Sequence, residues 1–251
     1  MLHRFASSFI GFALLVGCTS STPGARPHDM SAAAHEQQAA AHEQEAEQHE
    51  AQYDASATGP QTRCQPQFKG QGSGAPGQVC WTSVSNPTKE HLAVAEQHHK
   101  QAADHRAASE ALRRAEAQAC VGISDEDRDM SPFDHVEDIA TVEPLKEPTG
   151  GPKAQRQRTA GAIVTFRAVP GMTPEWLQRL VDCHLARNAS LGHNVPEMPN
   201  CPLVPNGIQA RVTSTGSGFA VAIRSDDDKT AQEILARAQR LRPQPVSSAA
   251  P

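Results

Sequence analysis

Three histidines stand in strict register between residues 32 and 50 (AAAHEQQAAAHEQEAEQHE): His35, His42 and His49, each followed directly by glutamate. A second set, His91, His98 and His105, repeats the seven-residue interval downstream, with His99 beside one of them. Imidazole is both a common metal ligand and an ordinary polar side chain, so spacing has to decide what the repeat can do. Seven residues is nearly two helical turns, which places each triplet on one helical stripe. The same interval separates neighbours by ~10 Å along the axis, whereas ligands of one zinc or copper ion each approach it to about 2 Å. No two histidines of one stripe can share an ion. Glu45 lies three residues after His42 and four before His49, within reach of either, but a full site needs ligands from another helix. If two such helices align, His35, His42, Glu45, His49, His91, His98 and His105 become the candidate set for copper or zinc. The plainer alternative is that alanine-rich helices tolerate His, Glu and Gln on solvated faces. Nothing in the sequence demands a cofactor.

The elements that would position these residues are legible in part. Ser31 is placed to cap a helix reaching about Tyr53, rich in alanine, glutamate and glutamine. Between Met30 and Tyr53 it has no large apolar residue and no Lys or Arg, so it reads as a solvated stalk. Residues 56–80 are broken by Gly and Pro and read as a loop. A second helix is expected from Asn86 as N-cap and Pro87 at its first position to about Ala119, with Leu92, Ala95, Ala102 and Leu112 as a thin apolar stripe. The pair is expected as a helical hairpin or coiled-coil-like stalk over 31–120, with a Gly/Pro-rich loop at 56–86. Residues 121–160 read as an acidic, largely irregular linker.

The N-terminus specifies an address. His3 and Arg4 precede an apolar run from Phe5 to Leu15, too short for an ordinary transmembrane helix. The run ends in Leu15-Val16-Gly17-Cys18, which resembles the lipobox of bacterial lipoproteins. The resemblance implies a signal peptide over 1–17, cleavage before Cys18 and acylation of that cysteine, including a palmitate-type chain, which anchors the protein to membrane lipid. It also implies a tether over 18–30. Thr19 follows where aspartate would imply inner-membrane retention, so the expected location is the outer membrane, facing the periplasm.

Export makes disulfides the default for the cysteines after the anchor. Neighbour pairing predicts Cys64–Cys80 and Cys183–Cys201, leaving Cys120 alone. Cys183, His184, His193, Met198 and Cys201 also make a thiolate, thioether and imidazole set of the kind that binds Cu(I); the disulfide is the competing reading.

The C-terminal part carries the clearest patterning. Ala162 to Val169 reads as a strand, closed by Pro170-Gly171. Thr173 caps a helix whose buried face is Trp176, Leu177, Leu180, Val181 and Leu185. Two alternating runs, with Ile208, Ala210 and Val212 on one and Phe219, Val221 and Ile223 on the other, meet at Thr215-Gly216-Ser217-Gly218. A last helix follows Ser225, with Ala231, Ile234, Leu235, Ala238 and Leu241 as its stripe. The expected class is α+β, with a β-α-β-β-α antiparallel-sheet domain over 160–242 that folds alone, and a disordered tail at 243–251. Gly171-Met172-Thr173, Gly207-Ile208 and this element order resemble the heavy-metal-associated ferredoxin-like domain. That family binds metal through Met-x-Cys-x-x-Cys; here the cysteine positions hold Pro174 and Leu177, so its metal site does not carry over.

Composition excludes other classes. Aromatics are 4% and hydrophobics 38% of 251 residues, too little for one large core. A formal net charge of −5 argues against nucleic acid. His-Glu recurs, but the second histidine of HExxH would fall at Ala39, Ala46 and Tyr53; no nucleophile elbow or phosphate loop is present. The expectation is a non-enzymatic binding or structural protein of the envelope with an unknown envelope partner; copper or zinc binding is the alternative, and an enzyme of unknown type a distant third.

Overall fold

The computed structural model describes residues 30–67, 77–150 and 156–241. Its class is α+β. The lipobox and Cys18 lie outside the described residues, as does the tail after residue 241. No helix among the described residues is long and apolar enough to cross a membrane.

The first helix, α1 (Ala32–Gln52), begins where Ser31 Oγ accepts the Ala34 N–H. It is not a solvated stalk. It packs against α2 (Lys89–Ala119), burying Ala32, His35, Ala39 and Ala46 against Ala95, Ala102, His105, Ala108, Ser109 and Leu112. Leu92, expected in the stripe, is exposed. The start of α2 also differs from expectation. Asn86 folds into a side-chain turn, accepting the Thr88 N–H at 2.8 Å and donating from Nδ2 to Asp54 O at 2.7 Å. That bridge closes the hairpin neck and delays the helix to Lys89.

The expected loop between the helices is a two-stranded ribbon: β1 (Gly59–Gln67) pairs antiparallel with β2 (Gly77–Ser85). Pro60 and Pro66 cost little there, because each strand of a two-stranded ribbon has a free edge. Cys64 stands directly opposite Cys80, and the two are bonded. Val79, Trp81 and Val84 remain exposed.

After a short helix, α3 (Asp125–Asp129), the region expected as linker forms β3 (Ile139–Thr149), paired antiparallel with β4 (Arg156–Arg167). Prolines 144 and 148 suggested irregularity, yet β3 is an edge strand, the one sheet position where a missing N–H is tolerated. The domain therefore starts well before residue 160, and a cut there would remove the edge strand. β5 (Ile208–Thr215) and β6 (Gly218–Ser225) complete the sheet, in the order β3-β4-β6-β5. Helices α4 (Pro174–Ser190) and α5 (Asp228–Arg240) cover its apolar side. Asp227 caps α5, its side chain accepting the Thr230 N–H. Val164 and Val221 pair across the sheet, as do Ala162 and Ile223, over a core that includes Phe133, Leu177, Val181, Leu203 and Ile234. Trp176 is only partly buried. Gly161 permits a close approach of β4 to β6, where a Cβ would lie 2.0 Å from Ile223 O.

The base of the hairpin is fastened to this domain. Cys120 at the end of α2 is bonded to Cys183 of α4. Arg187 bridges Glu116 at 3.3 Å and Asp129 at 2.9 Å. Gly192, with φ +67, leaves room for the start of α1, since a Cβ there would lie 2.7 Å from Ser31 N.

Candidate metal centre in the helical hairpin

The seam between α1 and α2 follows a heptad alternation of four and three residues. Alanines 32, 39 and 46 alternate with His35, His42 and His49; on α2, Ala95, Ala102 and Ser109 alternate with His91, His98 and His105. Alanine allows the backbones close enough for the imidazoles to meet. They meet in three rungs, Nδ1 to Nδ1: His35–His105 at 2.9 Å, His42–His98 at 3.2 Å and His49–His91 at 3.0 Å. In a neutral rung one Nδ1 carries the hydrogen and the other accepts it.

Successive rungs also touch through their rings. His42 stacks on His105 at 5.6 Å and His49 on His98 at 5.7 Å, while ring centroids within a rung are 5.2 to 5.4 Å apart. Six imidazoles thus form one unbroken line.

The rungs differ in what surrounds them. The base rung, His35–His105, is buried, and burial, then the facing His35 and His42, lowers the pKa of His105 below its ordinary value. Among the described residues, the central rung gathers a carboxylate with its two histidines. Glu45 Oε2 lies 2.9 Å from His98 Nδ1 and 3.4 Å from His42 Nδ1. These three ligand atoms all lie within 4.8 Å of one another. Two nitrogens each about 2.1 Å from a tetrahedral ion stand about 3.4 Å apart, so the central rung needs almost no adjustment to hold one. The tip rung, His49–His91, is partly buried.

The glutamate after each histidine has its own task. Glu36 meets Arg113 at 3.4 Å, Glu43 meets Arg106 at 2.7 Å, and Glu50 meets His99 Nε2 at 3.1 Å. His99 Nδ1 also meets Glu43, at 2.8 Å. The hydrogen bond from Arg106 lowers the Glu43 pKa, and the bonds to Glu50 and Glu43 raise that of His99. This ionic column runs beside the seam and fixes the helix register. Sequence reasoning named Ala95 and Ala102 on α2 but missed the column and the alanine layer of α1; the seven-residue recurrence of Ala32, Ala39 and Ala46 and of Arg106 and Arg113 was the available signal.

The C-terminal cysteine cluster is dissolved by the fold. Cys183 pairs with Cys120, not Cys201, because α4 packs on the end of α2 and brings those Cα atoms to 4.6 Å. Cys201 is a buried free thiol, and its pKa is raised by that burial. His184 Nε2 bonds to Asp127 O, His193 Nδ1 to Val204 O, and Met198 packs in the core. Pro174 starts α4 and Leu177 is a core residue, so no metal site forms after the strand. A further trio, His135, Glu137 and Asp138, lies on one exposed turn. No family model, curated protein or solved structure matches this chain.

Proposed function

We propose that this is a non-enzymatic, lipid-anchored protein of the cell envelope whose helical hairpin binds a divalent transition metal, Zn2+ or Cu2+. The convergence of His42, Glu45 and His98 from two helices carries the reading. Imidazole with one carboxylate suits borderline ions, while Ca2+ and Mg2+ prefer all-oxygen shells. The lipobox resemblance of Leu15 to Cys18 supports the envelope location, with acylated Cys18 in the outer membrane.

Calorimetry on untagged full-length protein tests the metal reading. Saturable binding is expected, weakening as imidazole protonates below pH ~6.5. Joint replacement of His42, His49, His91 and His98 by glutamine should abolish it while leaving helicity nearly unchanged, since glutamine is a comparable helix former. Diffuse, nonsaturable uptake unchanged in the quadruple variant would sink the proposal. A partner-binding role without metal would then stand, favoured by the exposed Trp81, Val79 and Val84 of the disulfide-closed ribbon.

A further inference from the structure

Resting on that metal reading, we infer that the central site is an exchange site, completed by an imidazole donor from outside the chain. His42, His98 and Glu45 supply three ligand atoms, and Zn2+ and Cu2+ take at least four. Structural zinc sites are closed by four protein ligands, whereas a site with three protein ligands leaves its fourth position to water or an incoming ligand. The neighbouring rings do not fill it: His105 and His49 stack on the site, but their Nδ1 atoms face His35 and His91. Solvent reaches the site from the side of Glu45, whose side chain is 52% exposed against 19% and 21% for His42 and His98.

Charge selects the donor. α1 carries Glu36, Glu43, Glu45, Glu47 and Glu50 without one Lys or Arg. The facing Arg106 and Arg113 are paired to Glu43 and Glu36. A bound dication outweighs Glu45 locally, but the remaining acids of α1 still weaken the attraction of the site for an anionic donor. A neutral nitrogen donor escapes this effect and matches the ligand preference of the ion. The incoming imidazole adds one bond to the ion without displacing His42, His98 or Glu45, and a carrier can then surrender the ion by stepwise ligand replacement.

The test uses untagged full-length protein loaded with one equivalent of Cu2+ and followed by electron paramagnetic resonance. Free imidazole is one probe; the other is a peptide holding a single histidine between lysines. A ternary complex is expected, with the spectrum saturating at one donor per copper while copper stays with the protein through gel filtration. Glu45→Ala opens a second position and should saturate at two. Tighter capture of the peptide than of imidazole assigns the donor to a protein partner; equal capture assigns it to small molecules. A copper spectrum indifferent to both probes, or copper stripped with no ternary species, overturns the exchange site while leaving metal binding intact. Failure to bind the first copper ion overturns both.

Discussion

Between its sheet and covering helices the C-terminal domain buries Phe133, Val164, Leu177, Val221, Ile223 and Ile234, whereas α1 and α2 bury alanines and imidazoles. Fully burying a large apolar side chain contributes about 1.5–3 kcal/mol, and a single methyl well under 1 kcal/mol. The domain therefore closes on its own core. The hairpin closes on a seam that is nearly neutral until something binds the histidines, and it leans on its base and neck for the remainder. A ligand that binds only the closed form adds its binding energy to closure.

The sharpest way to break this contrast is Phe133→Ala, which should destabilise the domain by about 3–5 kcal/mol in denaturant unfolding. Metal should not rescue it; rescue would mean that the two regions share one core. Replacing Cys120 and Cys183 together by serine should cost about 2–4 kcal/mol. Amide exchange should show the hairpin base losing more protection than the β4–β6 pair.

Next comes the ligand itself. At a hundredfold excess over Kd, Zn2+ should stabilise the hairpin by about 2.7 kcal/mol. His42→Gln with His98→Gln should remove most of that gain, with less than about 1 kcal/mol lost in the absence of metal. Equal loss with and without metal would make the rungs purely structural.

His184 supplies a pH test on the domain side. Burial depresses its pKa in the folded state, so unfolded chains bind the proton more readily. Stability contributed by neutral His184 is complete above the unfolded value of ~6.5 and is lost as pH falls below it, at no more than about 1.4 kcal/mol per pH unit. His184→Gln should flatten the urea midpoint between pH 6.5 and 5. The smallest effect belongs to the exposed pair Glu36–Arg113: Arg113→Gln should change stability by about 0.5 kcal/mol or less, vanishing in high salt.

How much of this was legible depended on what each residue type announces. Ser31 and Thr173 announce caps, and each accepts an N–H of its helix's first turn. Large alternating residues announced β5 and β6. Alanine announces helix more than burial, so Ala39 and Ala46 of α1 looked like solvated surface, although Ala95 and Ala102 were legible in the stripe of α2. Prolines 60, 66, 144 and 148 masked two strands, β1 and β3, in which they occupy tolerated positions, since tolerance depends on edge placement that only the assembled sheet defines. Cys64 and Cys80 face each other across a local hairpin, whereas Cys120 and Cys183 meet through packing between distant helices. The individual histidines were readable; which ones share a rung was set by the register of α1 on α2.

That register makes the hairpin countable. As the histidine number rises by seven along α1, its partner falls by seven along α2. Chains of this design can grow or shrink only by matched heptads, one on each helix, gaining or losing a whole rung. An unmatched heptad leaves one helix about 10 Å too long for its neighbour, and a single inserted residue turns every later histidine about 100° away from the seam. Length in this module is inherited in pairs.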